Sequence, residues 1–395
     1  MSILVQKYGG TSVGTIEKIK AVARRIIAER IRGQKVVVVV SAMQHTTDEL
    51  IALAKKITGS PPERELDMLL TAGERIAMAL LSMAIWDEGH EAISLTGSQS
   101  GIITEDNHTR ARILEVRGTR ITEELEKGRI VIVAGFQGVS GKREITTLGR
   151  GGSDTTAVAL SVSLGAQRCE IYTDVPGVFT ADPNLVPDAK KLEHISYDEM
   201  LDFAYFGASV VHPRAVELAR RYKVPLFILG AHTDEPGTLI TEGKQMEEKY
   251  IKGITSREVL LVEFEFQKEA ELEKFLQELI RKRVPVDRFA CKARDGKRLA
   301  TFICDRADKQ ALEEFPALKI CDSLSVVAIV GYGIAGRSDL ILEVMKCLNG
   351  MGVMPIELFQ THTSLTFLVP SEIEKEVVKV LHRDFIVKRR KYGKV

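Results

Sequence analysis

Two glycine-bearing segments combine backbone amides with charged side chains, which suits the binding of phosphate and carboxylate groups. The first is Lys7–Ser12, which follows the apolar stretch Ile3–Gln6 and precedes a helical pattern. A Gly-Gly turn at the start of a helix presents N–H groups and the positive end of the helix dipole, and Lys7 adds a mobile charge. A plain strand-to-helix turn with a surface lysine explains the same residues equally well. The chain has no Gly-x-x-x-x-Gly-Lys-Ser/Thr sequence, so this segment is not a Walker loop.

The second segment, Thr146–Thr156, has three glycines around Arg150. An arginine between glycines can approach an anion closely and grip a carboxylate with two parallel hydrogen bonds. Ser153, Asp154 and Thr155 are good caps for the apolar helix that follows. The alternative is a flexible glycine hairpin in which Asp154 only caps a helix. An anion-binding loop is favoured, because a helix cap needs neither three glycines nor an arginine.

Three further sets of residues give weaker signals. The segment Tyr172–Pro183 starts at a strand end, and its polar groups could hold a nucleoside, although its Pro-Gly and Asp-Pro turns explain most of the composition. Ser41 with Thr47 forms a second set. Glu74 lies within a long helical pattern, where a solvated glutamate is the ordinary outcome.

The segment Gly331–Gly336 has the spacing of a dinucleotide-binding fingerprint, with Glu357 some distance beyond it. The residues that remain are too few for the sheet that holds a dinucleotide. The same strand-turn-helix start also opens a repeated module, and this second interpretation is favoured.

Short apolar runs alternate with helical patterns over the first two-thirds of the chain. The predicted strands are Ile3–Gln6, Val36–Val40, Ala92–Leu95, Ile130–Ala134, Glu170–Thr173 and Pro225–Leu229. The predicted helices are Ile16–Arg32, Asp48–Lys56, Arg64–Trp86, Thr109–Lys127, Thr155–Leu164 and Ser209–Arg221. Strands that are apolar on both faces indicate an α/β fold, in which helices cover a mostly parallel sheet on both sides. Open sheets of this kind bind ligands at the carboxyl ends of their strands.

The pattern changes after the N-terminal domain, which is predicted to span residues 1–240. Residues 241–252 are predicted to be a linker, because the stretch is mostly polar and charged without apolar periodicity. Two similar βαββαβ series follow in residues 253–322 and 323–395, and the second is expected to end in a strand at Phe385–Val387. This repeat predicts two ferredoxin-like modules.

The composition excludes several classes of protein. The 395 residues carry a net charge of +1, with 55 basic and 54 acidic side chains, so a nucleic-acid partner is not expected. Five scattered cysteines without a Cys-x-x-Cys pair argue against a zinc site and favour a reducing cytoplasm. No stretch approaches the roughly 18–20 apolar residues that span a bilayer, so no membrane partner is expected either.

Taken together and in order, these segments resemble the aspartate kinase branch of the amino acid kinase family. The resemblance spans roughly residues 2–240, and the matching motifs are Lys7–Val13, Ser41–Met43, Thr71–Glu74, Gly149–Asp154, Tyr172–Asp174 and His212–Ala215. It implies an αβα-sandwich kinase domain, and the C-terminal part is similar to the paired ACT modules that such kinases carry.

The resemblance implies transfer of the γ-phosphoryl group of ATP to the side-chain carboxylate of aspartate. The product would be 4-phosphoaspartate, the first intermediate towards lysine, threonine, methionine or diaminopimelate. The acceptor carboxylate is already ionised at pH 7, so the reaction needs no general base. Mg²⁺ would arrive on ATP, and no dedicated protein ligand is expected for it.

The resemblance also implies roles for individual residues. The catalytic residues would be Lys7, which holds the transferring phosphoryl group with the Gly9 and Gly10 amides, Asp154, which holds Lys7, and Arg150. The substrate would be bound by Arg150 at its α-carboxylate, by Glu74 at its α-ammonium group, and by Thr47, Gly151, Gly152, Ser153 and Asp154. The nucleotide site would comprise Lys7, Tyr8, Gly9, Gly10, Ser41, Thr173, Asp174, Phe179 and Asp182.

Some positions depart from the family pattern. Phe179 stands where a tyrosine is common, and Gly230-Ala231-His232 replaces a more usual Arg-Ser-Ser. The Pro-Gly turn that usually opens the first helix of an ACT module is absent from both modules, where Gln267–Glu269 and Arg337–Asp339 stand instead. An amino-acid effector at these modules is therefore expected to act weakly or in an altered way. The modules are also expected to pair between chains in a homo-oligomer. The alternatives to aspartate kinase are another amino acid kinase, of the glutamate type, and a non-catalytic amino-acid sensor.

Overall fold

A computed structural model describes residues 2–243, 250–294, 297–315 and 318–388. The chain divides into two compact units. Unit 1 comprises Met1–Phe179 and Lys191–Met246, and unit 2 comprises Thr180–Lys190 and Glu247–Val395. Half of the predicted linker, residues 241–252, lies outside the described residues, and strand β13 starts at Tyr250 within its range. The expected boundary between two modules near residue 322 stays a prediction.

Unit 1 contains twelve strands and seven helices among the described residues. The strands are β1 (Ile3–Tyr8), β2 (Lys35–Val40), β3 (Ala92–Leu95), β4 (Ile102–Thr104), β5 (Ile113–Val116), β6 (Ile130–Ala134), β7 (Gln137–Ser140), β8 (Ile145–Thr147), β9 (Arg168–Thr173), β10 (His194–Ser196), β11 (Leu226–Gly230) and β12 (Thr238–Thr241). The helices are α1 (Ile16–Ile31), α2 (Thr46–Ile57), α3 (Glu63–Asp87), α4 (Thr119–Glu126), α5 (Gly152–Ser163), α6 (Tyr197–Tyr205) and α7 (Pro213–Tyr222).

The main sheet of unit 1 has the strand order β10-β12-β11-β9-β1-β2-β6-β3. Its central strands are parallel, and Lys7 pairs in register with Val39 of β2 and Ile171 of β9. Val36 to Val40 of β2 are completely buried, as expected for a strand covered by helices on both faces. The predicted α/β architecture is confirmed. The register places the loops that follow β9, β1, β2 and β6 side by side at the carboxyl ends of these strands, which form the edge of the sheet referred to below.

A second, smaller sheet in unit 1 has the order β5-β4-β7-β8. It corrects the predicted helix Thr109–Lys127, because Ile113–Val116 forms β5 and pairs antiparallel with β4. The helix starts only at Thr119, after Gly118 in a left-handed conformation with φ of 62°. Strand β8 leads directly into the glycine-rich segment that contains Arg150.

Helix α3 is the longest helix of unit 1. By length and composition alone it could cross a membrane, with a mean hydropathy of 1.5, which corrects the expectation that no stretch reaches this limit. The helix packs against α1, α2, β3, β6 and β8, and it buries the carboxyl groups of Asp67 and Glu74. It is therefore a core helix of unit 1.

Unit 2 contains one six-stranded antiparallel sheet among its described residues. The strands are β13 (Tyr250–Phe266), β14 (Asp287–Arg294), β15 (Lys297–Cys304), β16 (Leu318–Tyr332), β17 (Leu358–Gln360) and β18 (Ser364–Pro370), in the order β14-β15-β13-β16-β18-β17. The helices are α8 (Glu269–Arg281), α9 (Lys309–Glu313), α10 (Ser338–Gly350) and α11 (Glu374–Leu381).

The two long strands of unit 2 serve both halves of the sheet. The first half has the strand and helix sequence of a ferredoxin-like module, the second half has it as far as α11, and β13 and β16 pair along almost their whole length. The predicted strand at Phe385–Val387 is wrong, because these residues lie in a π-helical segment, His382–Lys388. The fourth strand of the second half is instead the N-terminal part of β13, which occupies the place beside β16.

The segment Thr180–Lys190 belongs to unit 2 although its neighbours on both sides belong to unit 1. Its Ala181 and Val186 are buried in the same apolar cluster as Ile254 and Phe385. The Thr180 hydroxyl and Nε2 of the buried His382 are 2.8 Å apart and share a hydrogen bond. The chain therefore leaves unit 1 after Phe179, contributes to the core of unit 2, and returns at Lys191.

Candidate functional site

Lys7 lies near the end of the central strand β1, where the predicted phosphate-binding loop begins. Its Nζ lies 2.7 Å from Oδ1 of Asp154, in the first turn of α5, and the two side chains are only 12% and 11% exposed. Oδ1 makes no well-aligned hydrogen bond, so the contact is an ion pair held by charge. The other oxygen, Oδ2, accepts a hydrogen bond of 3.1 Å from the backbone N–H of His212. Asp154 is thus fixed by the chain and in turn fixes Lys7.

The Gly9–Gly10 turn has no room for a larger residue at Gly10, whereas a Cβ atom at Gly9 would make ordinary van der Waals contacts. A Cβ atom on Gly10 would lie 2.7 Å from the carbonyl oxygen of Ala42, and one on Gly9 would lie 3.5 Å from Nζ of Lys7. The sequence suggested that this turn lies at the start of a helix. Helix α1 starts only at Ile16, after its cap Thr15, so the turn instead lies at the end of strand β1.

The hydroxyl group of Ser12, in the same loop, is fully buried. Its Oγ has no hydrogen-bond partner within the described part of the chain. A buried polar atom without a partner is costly unless a ligand or water satisfies it. The loop therefore combines a fixed lysine with unused hydrogen-bonding capacity.

Glu74 is only 4% exposed, which rules out the solvated glutamate considered from the sequence. Its Oε1 accepts a hydrogen bond of 3.1 Å from the Ala42 amide, and Oε2 has no hydrogen-bond partner in the described structure. Gly73 permits this approach, since a Cβ there would lie 2.7 Å from that of Ala42. Burial raises the pKa of Glu74 to about 7. The free oxygen can accept a hydrogen bond from a cation.

Ser41 and Thr47 lie on either side of this contact along the chain. Ser41 directly follows β2 and donates its backbone N–H to the carbonyl oxygen of Tyr8 at 3.1 Å. Thr47 is in the first turn of α2, which starts after His45 in a left-handed conformation with φ of 66°. Both residues are therefore in segments that begin at the carboxyl end of β2.

The glycine-rich loop between β8 and α5 presents Arg150 to solvent. Gly149 and Gly151 flank it with φ of 74° and 68°, a conformation that side chains other than glycine rarely adopt. A Cβ on Gly151 would also lie 2.0 Å from the ring of His212. Gly152 and Ser153 continue into α5, so the loop, the helix and Asp154 form one continuous segment.

The remaining residues of the predicted nucleotide site are Tyr8, Thr173, Asp174, Phe179 and Asp182. Thr173 and Asp174 follow β9, and the Thr173 hydroxyl donates to the Asp174 carboxylate at 2.9 Å. Phe179 is partly exposed in unit 1, while Asp182 is assigned to unit 2. The Tyr8 side chain is fully buried and stacks on Tyr172 with ring centroids 4.6 Å apart, which leaves only its backbone for a ligand.

Three residues that position the site had no predicted role. His212 caps α7 and donates its backbone N–H to Asp154, and Arg214 donates to the carbonyl oxygens of Leu148 and Ala111 at 2.7 and 3.3 Å. The Ala42 amide is the third. The His-Pro pair at the start of α7 could have indicated His212 as a helix cap. No local sequence pattern, however, indicates that a backbone amide binds a carboxylate that is distant in sequence.

The described residues contain no group of three or more His, Cys, Asp or Glu side chains that could hold a metal ion. Within that part of the chain, the charged groups that meet at the sheet edge are a lysine, an arginine and isolated carboxylates. Such an arrangement can bind anions and an ammonium group, and it offers no ready-made metal cage.

The family model described as the amino acid kinase family matches residues 2–230. The chain belongs to the amino acid kinase family. Among the relatives of this amino acid kinase, the aspartokinase of Geobacillus stearothermophilus is 43% identical over 98% of the chain and 97% of its own length. Aspartokinase 2 of Bacillus subtilis is 57% identical over 64% of the chain and 62% of its own length.

A solved structure gives the same result for the fold. The crystal structure of aspartokinase III from E. coli, in complex with aspartate and ADP (R-state), has a TM-score of 0.82 and 25% sequence identity to this amino acid kinase. The match covers 97% of this chain and 99% of that one. The predicted family is confirmed.

Proposed function

We propose that this amino acid kinase is an aspartate kinase, which transfers the γ-phosphoryl group of ATP to the side-chain carboxylate of L-aspartate. The observation that carries the proposal is the similarity, over nearly the whole chain, to proteins named aspartokinase. The products are ADP and 4-phospho-L-aspartate. The same similarity supports a role in amino-acid biosynthesis.

The reaction forms one bond and breaks one bond at the γ-phosphorus atom. An oxygen of the aspartate carboxylate attacks the γ-phosphorus, while the bond to the oxygen that bridges the β- and γ-phosphates breaks and ADP leaves with the electron pair. Because the carboxylate is ionised at neutral pH, no proton has to be removed. The protein has to align two anions and neutralise the charge that spreads over the phosphoryl oxygens.

Lys7 and the Gly9–Gly10 turn supply this neutralisation. The Lys7 ammonium group contacts the transferring phosphoryl group, and the ion pair with Asp154 keeps it directed at the sheet edge. The turn brings the Gly10 N–H close to the phosphates because Gly10 has no side chain, whereas the Gly9 N–H already donates to the carbonyl oxygen of Tyr172 at 3.3 Å. Asp154 accepts no proton in this scheme and acts through the position of Lys7.

The amino acid is held by its head group. Glu74 pairs with the α-ammonium group through its free Oε2, with Thr47 beside it, and Arg150 clamps the α-carboxylate with two parallel hydrogen bonds. Gly151, Gly152 and Ser153 complete the loop. Ser41, Thr173, Asp174 and Phe179, which all belong to unit 1, line the nucleotide.

Mg²⁺ accompanies ATP and is coordinated mainly by phosphate oxygens and water. The five cysteines are all free, which fits a reducing cytoplasm. An amino-acid effector binds at the ACT-like modules of unit 2, and these modules pair between chains in a homo-oligomer.

The substrate assignment is tested by trapping the acyl phosphate. Purified protein is incubated with Mg-ATP, hydroxylamine and either aspartate or glutamate, and the hydroxamate is measured. Aspartyl hydroxamate is the expected product. More product with glutamate would transfer the assignment to a glutamate-type kinase, and no product with either amino acid would favour a non-catalytic sensor.

The effector is tested on the same reaction. Because both modules lack the usual Pro-Gly turn, we expect lysine and threonine to inhibit weakly or not at all below about millimolar concentration. Strong inhibition by either amino acid at micromolar concentration would contradict this expectation without affecting the substrate assignment.

A further inference from the structure

Asp67 is a fully buried carboxylate that has no role in the chemistry described above. It lies on α3, two helical turns before Glu74 and on the same face of the helix. A carboxylate removed from water is tolerated only where other groups satisfy both of its oxygens. The groups that do so here all come from distant parts of the chain.

Three groups surround Asp67. The backbone N–H of Thr109 lies 3.1 Å from both carboxylate oxygens, and the hydroxyl group of Thr147 donates to Oδ1 at 2.6 Å. Nδ1 of His108 lies 2.7 Å from Oδ2. Since an ionised carboxylate only accepts hydrogen bonds, Nδ1 carries the proton. Asp67 thereby ties the loop between β4 and β5 to the last residue of β8.

Thr109 is held in an unfavourable conformation by this contact. Its φ is 66°, in the left-handed region that β-branched residues rarely adopt. Strain of this kind persists only where surrounding contacts enforce it, and it concentrates near functional sites. The hydrogen bond from the Thr109 amide to both oxygens of Asp67 is such a contact.

Thr109 lies directly against the loop that carries Arg150. A Cβ on Gly149 would lie 3.1 Å from the carbonyl oxygen of Thr109, so the two backbones touch. The other end of the same stretch is fixed as well, because Ala111 donates its N–H to the carbonyl oxygen of Thr147 at 2.9 Å. A shift of Thr109 therefore displaces Gly149 and with it Arg150.

We propose that Asp67 is a positioning residue for the amino-acid substrate: it sets the place of the Arg150 loop relative to Glu74. The inference rests on the proposed function, in which Glu74 binds the α-ammonium group and Arg150 the α-carboxylate. These two groups are attached to one carbon atom of the substrate, so both contacts form together only if their separation is fixed. One rigid helix carries Glu74 itself and the anchor of the opposing loop.

The test separates the two substrates of the enzyme. In Asp67→Asn an amide group replaces one acceptor oxygen and disturbs the contacts to Thr109 and His108. We expect the KM for aspartate to rise on the order of tenfold to a hundredfold, as for other small misplacements of a substrate, while the KM for ATP changes less than about twofold. The matched control is Asp106→Asn in the same loop, whose carboxylate pairs with Lys142 near the surface and does not contact Thr109. The control is expected to keep both constants.

A rescue experiment tests the route through Thr109. Glycine adopts a left-handed φ without strain, so Thr109→Gly removes the need for the anchor. In the double variant Asp67→Asn with Thr109→Gly, the KM for aspartate is expected to fall back most of the way to the wild-type value. A purely structural role would give equal increases in both KM values, or a lower unfolding temperature with no change in KM, and no rescue. Any of these results overturns the proposal.

The proposal and the function fail in different ways. If the wild-type protein makes no aspartyl hydroxamate, the proposed function is wrong. If the wild-type protein makes it and the Asp67→Asn variant has an unchanged KM for aspartate, only the positioning role is wrong.

Discussion

The two units of the molecule bury different kinds of side chain. Among the described residues, unit 1 buries six carboxyl side chains, and these are Asp67, Glu74, Glu124, Asp154, Glu170 and Glu199. Over the same described residues, unit 2 buries hydroxyl groups and one histidine but no Asp, Glu, Lys or Arg. Taking a carboxylate out of water costs several kcal/mol unless it is paired, so each of these six side chains needs a partner or carries a cost in stability.

The difference follows from what each unit has to hold. Some buried carboxylates of unit 1 have structural partners, such as Glu124 with Lys127 and Arg129. Asp154 and Glu74 instead lie at the edge of the sheet, next to a lysine in one case and with a free oxygen in the other. Their charge is available to substrates. The strands of unit 2 are satisfied by their own sheet and apolar core.

The largest expected effect concerns the buried charge on Lys7. Lys7→Met removes the cation that faces the phosphoryl group and leaves Asp154 unpaired, and we expect kcat to fall on the order of 10²–10³-fold. Lys35→Met is the matched control, because Lys35 is on the neighbouring strand at the opposite edge of the sheet, in register with Ile3. Steady-state kinetics would measure both variants. Equal losses of activity in the two would mean that the site is elsewhere.

The second effect is on stability and sharpens the contrast between the units. The pKa of Glu74 rises from 4.5 to about 7 in the folded protein, so its contribution to stability is full below pH 4.5 and is lost as the pH rises through 7. Glu74→Gln removes the buried charge, and at pH 8 without substrate we expect the free energy of unfolding to increase by up to about 3 kcal/mol.

Denaturant unfolding at pH 8 and pH 5 would measure this effect, which should shrink at the lower pH. The exposed residue Glu126 provides the control, since Glu126→Gln should change little at either pH. A destabilised Glu74→Gln variant at pH 8 would show that the buried carboxylate is paired after all.

The third effect is the pH dependence of aspartate binding. Only the ionised form of Glu74 can pair with the α-ammonium group, so with a pKa of about 7 the KM for aspartate should be about tenfold lower at pH 8 than at pH 6. Burial also lowers the pKa of His212 below its usual value, so this ring loses its proton at a lower pH than a free imidazole does. Initial rates at several pH values would test this. A wild-type KM that is flat from pH 6 to 8 would contradict the role of Glu74.

The main sheet of unit 1 could be predicted because its strands are unbroken runs of Val and Ile. The loops at its edge could be found because glycine beside lysine or arginine is an unusual composition with a clear chemical use. Ile113–Val116 could not, since its exposed positions lie within the strand and it borders a helix, so the whole stretch reads as helical. Phe385–Val387 failed for the opposite reason: a short apolar run fits a strand and a helix equally well.

The burial of individual side chains and their long-range pairing could not be predicted from the sequence. Glu74 looks like any helix glutamate, and only the packing of Gly73 against Ala42 shows why it is buried. The partners of Asp67 come from two segments that are remote in sequence, so no local spacing could indicate them. These groups are brought together by the tertiary fold and not by any local sequence pattern.

The smallest expected effect lies in the core of unit 2. Ile329 of β16 is completely buried among apolar side chains that include Val344 and Phe367. Ile329→Val removes one methylene group and should cost about 1 kcal/mol, by the same amount at pH 5 and pH 8, because the substitution itself changes no titrating group. Hydrogen exchange of the β16 amides at both pH values would measure the loss within unit 2. A loss that changes with pH would contradict this expectation, since it would show that Ile329 is coupled to a titrating group, for which the buried His382 of unit 2 is the candidate.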